Sequence, residues 1–344
     1  MFKKLAICVA TLLLTLLPLR SVAAAIATTT LSQGVISLTF DDGWKNIHDN
    51  GLPLLNKYGI VSTQYLNSEP ILGVETDGWT GYMSYNNVKD FTTVAGPGNI
   101  ANPYAITHEV AWHTQTHADL ALATAAAVDT ELTIPQAFLT GISKSVLDFK
   151  NFATPFGSYT QSVQTKIMAK YRSHRSTDVG YNLKADFVNG GKGAENIKVQ
   201  NIEDTTTPAQ VAAWVTEAQT QKNWLVLVYH VVLLPGEGLP EPGVQNYSVT
   251  TTNLELELVN IKNSGLLVKT VDQALDVMQD ITPVIPPAVK PGDVNGDTFV
   301  NALDLSIIST NWNHAAATKA QGDLNGDTVV NALDLSILST NWGK

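Results

Sequence analysis

Cysteine is all but missing from this chain. The only one, Cys8, lies in the N-terminal apolar stretch, so a mature chain without that stretch carries no thiol. Disulfides, a cysteine nucleophile and a thiolate metal site are therefore excluded. Any transition-metal site has to be built from His, Asp and Glu. Charge is also sparse, at 15% of residues, and basic charge is the scarcer kind. There are 21 Lys and Arg against 31 Asp and Glu, a formal net charge of -10. That deficit argues against nucleic acid or an anionic membrane surface as a partner. Long apolar runs are missing as well. The longest, Leu5 to Leu17, is too short for an ordinary membrane span, so no transmembrane segment is expected. What the chain does have is 44% hydrophobic residues over 344 positions. That suffices for one large core and a smaller second unit.

Lys3 and Lys4, the run Leu5 to Leu17, and the small residues Val22 to Ala25 together read as a secretion signal over residues 1–25. Its removal takes Lys3, Lys4 and Arg20 and no acid, leaving a net charge of -13. Cys8 stands near the start of the apolar run, whereas a lipid-bearing cysteine would stand at its end. Lipidation is discounted, and a secreted, extracellular or cell-surface protein is expected.

From Ile26 to about Gln279 strand-like and helix-like segments alternate. The strand candidates are Val35–Phe40, Ser62–Leu66, Glu109–His113, Asn151–Thr154 and Leu225–His230, with Leu266–Thr270 near the end. The helical candidates are Gly51–Lys57, Asn86–Phe91, Ile134–Phe149, Ser162–Lys170, Pro208–Gln221, Asn253–Ser264 and Val271–Met278. Such alternation predicts an α/β fold around a mostly parallel sheet, open or closed into a barrel. Residues 280–292, with Pro283, Pro286, Pro287 and Pro291, read as a stiff linker. Beyond it Asp293–Trp312 reappears as Asp323–Trp342, a duplication with a period of 30 residues.

Four stretches carry chemistry. Val35 to Phe40 reads as a buried strand, and Asp41-Asp42-Gly43 ends it. Adjacent strand residues point to opposite faces, so both acids can serve one site only where the strand turns. Gly43 gives the backbone that freedom. Taken alone, Asp-Asp-Gly is ordinary turn chemistry. His113 and His117 stand at i and i+4, which on a helical turn would place both on one face, suited to gripping one ion. His230 closes the apolar run from Leu225, and Phe152 to Tyr159 is a strand ending in a proline–glycine turn.

In order, spacing and residue type, residues 33–279 resemble the polysaccharide deacetylases, carbohydrate esterase family four. The resemblance implies a distorted (β/α) barrel of about seven strands. It implies one divalent metal, zinc with cobalt or nickel as alternatives, held by Asp42, His113 and His117. Asp41 would be the general base and His230 the general acid, with the backbone N–H of Phe156 facing the oxyanion. In one respect the chain departs from the family pattern. Ala153 stands where the family usually has an arginine that pairs with the base, a form similar to the biofilm poly-N-acetylglucosamine deacetylases. Arg175 is a candidate to supply that charge, and a solvated arginine is the alternative. His48, His108 and His174 are expected at the surface. Trp79, Tyr82 and Tyr85 are candidates to line a sugar cleft, with plain packing as the alternative.

Asp293 to Asp304 has oxygen ligands at calcium-loop spacing. They are Asp293, Asn295, Asp297, the carbonyl of Phe299, Asn301 and Asp304. Asp323, Asn325, Asp327, Val329, Asn331 and Asp334 repeat the set, and a helix follows each loop. The first helix places Leu305, Ile308 and Trp312 on one face, the second Leu335, Leu338 and Trp342. This all-α module, 293–344, resembles a type I dockerin, which implies two calcium ions and a cohesin partner. Thr298 and Thr328 stand where such loops commonly have glycine, and threonine tolerates positive φ poorly.

Together these features predict a secreted, metal-dependent enzyme that removes N-acetyl groups from a polysaccharide and is tethered by a dockerin. Chitin, poly-N-acetylglucosamine and peptidoglycan are the glycans in view. An O-acetyl xylan esterase and a glycan-binding protein that has lost catalysis are the alternatives.

Overall fold

A computed structural model describes residues 28–241, 244–281, 290–295 and 299–343. The expected leader, most of the linker and Asp297 lie outside those residues. Two compact units divide at Ile281 and Thr282.

Seven parallel strands organise the first unit. They are β1 (Val35–Phe40), β2 (Ser62–Leu66), β3 (Glu109–Trp112), β4 (Asn151–Ala153), β5 (Ser173–Val179), β6 (Ile197–Asn201) and β7 (Trp224–Tyr229). They pair in sequence order, and β1 also pairs with β7 from Val35↔Trp224 to Phe40↔Tyr229, which closes the ring. Closure leaves the ring no sheet edge to protect. A short pair, β8 (Val231–Leu233) and β9 (Ser248–Thr250), lies beyond β7, and β10 (Leu267–Val268) pairs with the start of β1.

Side-chain alternation sorts the strands into two buried layers. Ile36, Leu38, Phe40, Trp112, Phe152, Leu225 and Leu227 pack toward the surrounding helices. Val35, Tyr65, Ala111, Ala153, Val199, Val226 and Val228 pack on the other face, with Val271, Ala274, Leu275 and Met278 of the helix Val271–Met278. Asp41, His113, Arg175 and His230 continue the parity of that second layer. Small residues there, Ala111 and Ala153, leave room for large ones.

The local expectations hold in part. β5 and β6 are strands that no apolar run announces, because their sequences are Ser-His-Arg-Ser-Thr-Asp-Val and Ile-Lys-Val-Gln-Asn. Buried polar partners satisfy them instead; Ser173 Oγ, for example, donates to Asn151 Oδ1 at 2.7 Å. The expected helix Ile134–Phe149 is two pieces, Gln136–Gly141 and a single turn Val146–Asp148, because Ser143 between them takes φ 57°. The three histidines expected at the surface are all buried. His48 sits between Asp49 and Asp90, at 2.8 and 2.9 Å. His108 Nδ1 accepts the Ser62 N–H at 3.1 Å, and burial pushes this imidazole down to about 3. His174 is held between Thr154 and the Glu195 carbonyl.

The second unit contains the helices Ala302–Thr310 and Ala332–Thr340. Asn301 and Asn331 cap them, each accepting at 2.7 Å from the N–H two residues on. Val294, Val300, Ile308, Ala317, Val330 and Leu338 form its small core. Trp312 and Trp342, expected on the same helix faces as Ile308 and Leu338, are exposed.

Candidate metal centre

The C-terminal ends of β1, β3, β4 and β7 meet at one cavity of about 620 Å³. Four non-glycine residues take left-handed backbone, Asp42, His117 and Phe156 in its lining and Thr114 next to His113. Each costs roughly 1–2 kcal/mol relative to ordinary backbone, and such strain concentrates at functional sites.

At the end of β1 the Asp41 N–H still donates to Tyr229 O at 3.0 Å. Asp42 and Gly43 then turn with φ 74° and 78°. That reversal is what lets adjacent acids serve one site. Asp42 Oδ1 lies 3.4 Å from His113 Nε2 and 3.3 Å from His117 Nε2. Ligand atoms of the three residues lie within 4.8 Å of one another, the single such group of His, Cys, Asp and Glu among the described residues.

The histidine pair reaches this geometry by a different route from the one the spacing predicts. No helix is involved. His113 extends β3, its N–H donating to Leu66 O at 3.0 Å. A loop through left-handed Thr114 brings His117 back, with the His117 N–H on Thr114 Oγ1 at 3.0 Å. His113 Nδ1 stands 2.8 Å from the Ala153 carbonyl. A carbonyl only accepts, so Nδ1 carries the hydrogen and Nε2 offers its lone pair.

Electrostatics favour the ligating forms. Burial pushes His117 down to about 4 despite the Asp42 charge, so this imidazole is neutral at neutral pH. Burial opposes ionisation of Asp42, but the imidazoles of His113, His230 and His117 around it hold its carboxyl well below the usual carboxylate range. Asp42 Oδ1 is buried without a hydrogen-bond partner. One carboxylate and two imidazoles are a donor set that fits zinc or a similar divalent ion.

Asp41 is buried beside this group, and Arg175 Nη2 donates to its Oδ2 at 2.5 Å. The guanidinium lies over the Tyr65 ring, 4.7 Å from its centroid. Ala153 on β4 is the register partner of Arg175 on β5. The charge reaches the acid from the strand next to the one on which the family arginine is expected. His230 Nε2 lies 3.8 Å from Asp41 Oδ2, and the His230 ring is 5.1 Å from that of Tyr247. The Phe156 ring meets His117 edge-on at 4.5 Å. Of the aromatic candidates, Tyr82 lines the cavity, whereas Trp79 and Tyr85 are not among its lining residues.

Sequence reading missed Trp44, Asn67, Glu203, Glu241 and Tyr247, all of which line the cavity. Trp44 stands two residues after the acid pair, beyond Gly43, and was the one legible signal. The others stand in segments without a motif.

In the second unit Asp304 and Asp334 are fully buried. Asp304 accepts the N–H groups of Val294, Asn295 and Asn301, and Asp334 those of Leu324, Asn325 and Asn331. Asp323 accepts from Gly326 and Thr328, and Asn325 and Asn331 both reach Asp327. Thr328 adopts φ 70°.

Residues 28–172 match the family model described as polysaccharide deacetylase, and residues 291–341 that described as dockerin type I domain. No curated protein matches the chain. Among solved structures, the chain is similar to the Xyl-CE4 domain of a multidomain xylanase from the hindgut metagenome of Trinervitermes trinervoides. That match has 17% identity and a TM-score of 0.45, covering 73% of this chain and 93% of that one. It is also similar to a family 4 carbohydrate esterase from Streptomyces lividans in complex with acetate. There the identity is 15% and the TM-score 0.41, covering 68% of this chain and 91% of that one. A third is a CE4 family pseudoenzyme from Bacillus anthracis, at 15% identity and a TM-score of 0.43, covering 72% and 66%.

Proposed function

We propose that this chain, which carries a polysaccharide deacetylase domain followed by a dockerin type I domain, is a secreted, metal-dependent hydrolase of N-acetyl groups on a polysaccharide. The observation that carries the reading is the single cavity that gathers Asp42, His113 and His117 with Asp41 and His230 beside them. We take residues 26–279 as the catalytic domain, 280–292 as the linker and 293–344 as the dockerin, behind a signal at 1–25.

Asp42, His113 and His117 would hold the divalent ion, zinc in the first instance. Bound there, it supplies a Lewis acid for the acetyl carbonyl and makes water more acidic. The other groups act on protons and charge. Asp41 accepts the proton of the attacking water, and Arg175, donating to its Oδ2, holds this carboxylate in place. The Phe156 N–H, presented by a left-handed turn, faces the oxygen on which charge develops. His230 gives a proton to the departing sugar nitrogen. The water adds to the acetyl carbon, the carbon–nitrogen bond breaks, and the products are acetate and a free amino sugar.

Among the described residues, the cavity lining includes Glu203 and Glu241 and no lysine or arginine. That composition suits a neutral or amine-bearing glycan better than an acidic one. Tyr82 and Tyr247 offer faces for sugar rings. The dockerin implies calcium binding in general and a cohesin partner. We assign one calcium to each loop: Asp293, Asn295, Asp297, Phe299, Asn301 and Asp304 in the first, and Asp323, Asn325, Asp327, Val329, Asn331 and Asp334 in the second.

Acetate release from chitin oligomers, poly-N-acetylglucosamine, peptidoglycan and acetylxylan tests the reading. Release from one of the N-acetylated glycans is expected. Release from acetylxylan alone would make the protein an O-acetyl esterase. Binding without release from any of the four would make it a glycan-binding protein.

A further inference from the structure

We propose that Trp44 is a positioning residue that fixes Asp42 as a one-oxygen ligand and ties it to the wall of the glycan cleft; this rests on the metal-dependent reading above. The two oxygens of Asp42 have different surroundings. Oδ1 faces the His113 and His117 Nε2 atoms at 3.4 and 3.3 Å and has no hydrogen-bond partner. Oδ2 accepts the indole N–H of Trp44 at 3.0 Å. The indole nitrogen can only donate. To offer both oxygens to an ion, the carboxylate would have to give up a buried hydrogen bond and leave that donor unsatisfied.

The indole is itself held firmly. Trp44 is 3% exposed and stacks on Tyr82, with centroids 4.3 Å apart and planes 23° from parallel. Trp44 and Tyr82 also pair through their backbones in an isolated antiparallel bridge. On either side, Lys45 N–H donates to Gly81 O at 2.7 Å and Met83 N–H to Gly43 O at 2.9 Å. Segment 43–45 is thus clamped to segment 81–83, and the Asp42 side chain inherits that rigidity. Trp44 and Tyr82 both line the cavity. The same stacked pair therefore orients a metal ligand and forms part of the surface a sugar meets. Partners that orient a ligand in this way typically contribute 10–100-fold in metal affinity.

The test uses the full-length apo-protein with calcium saturating, and reads zinc affinity by competition with a chromophoric chelator. Trp44→Phe keeps the stack on Tyr82 and removes the N–H. Zinc affinity should fall about 10–100-fold while the apo-protein keeps the wild-type circular dichroism spectrum. Asp42→Ala, run alongside, should lose the site. Wild-type affinity in Trp44→Phe, with affinity lost in Asp42→Ala, overturns the proposal and leaves the metal reading standing. Wild-type affinity in both variants overturns the metal reading, and the proposal with it. If Trp44→Phe also loses that spectrum, Trp44→Gln decides, because its amide can again donate to Oδ2. Affinity recovered in Trp44→Gln supports the hydrogen bond, and affinity lost there as well contradicts it.

Discussion

Removing the guanidinium beside Asp41 is the most informative single perturbation of this site. Asp41 and Arg175 are 3% and 1% exposed, so solvent screens their interaction weakly. Two unit charges about 4 Å apart interact by about 4 kcal/mol at an effective dielectric constant near 20. Arg175→Met, which keeps much of the packing over Tyr65, removes that interaction and leaves the Asp41 carboxylate buried without its cation. Stability at neutral pH should fall by about 3–5 kcal/mol, because a buried charge has lost its partner. Asp41→Asn in the same background should restore much of that loss. Chemical denaturation of the wild type and both variants at neutral pH supplies the reading. An Arg175→Met variant as stable as the wild type would refute the pairing.

Asp42→Ala, His113→Ala and His117→Ala should each lose the tightly bound transition metal, measured by elemental analysis, whereas Asp41→Asn and His230→Ala should keep it and lose turnover, the latter by about 10²–10⁴. Calcium should protect residues 293–344 of the full chain from proteolysis, since binding the native state alone adds stability; equal protection in chelator would remove the calcium loops. His108, held down to about 3 against 6.5 in the unfolded chain, takes up a proton in the unfolded state first. Stability should therefore fall as pH drops from about 6.5 toward 3, by up to about 1.4 kcal/mol per pH unit from this group. His108→Gln should flatten that slope in urea melts.

The legible parts of the chain were those where chemistry and burial leave a local trace. β1 is a nearly continuous apolar run and β7 a continuous one, and the paired acids and closing histidine at their ends were visible for that reason. The repeat of Asp293–Trp312 as Asp323–Trp342 needed no physical argument at all. β5 and β6 left no such trace, because Arg175 faces a buried layer and its charge is neutralised by a residue 134 positions away. His113 and His117 come together for a reason that spacing did not supply. Their convergence depends on a left-handed Thr114, and i to i+4 along a helix would have been another geometry. Trp44 could have been noticed as a hydrogen-bond donor two residues after Asp42. Its partner Tyr82 is fixed by a backbone bridge that no local pattern records.

The central claim is that the ion held by Asp42, His113 and His117 enables removal of N-acetyl groups. It is tested most directly by adding zinc stepwise to the apo-protein and measuring acetate and free amine released from an N-acetylglucosamine oligomer. The account predicts negligible release without metal, a rise that saturates at one equivalent, equal amounts of acetate and amine, and no rise in Asp42→Ala. Release by the metal-free protein at the saturated rate, or a full rise in Asp42→Ala, would contradict it.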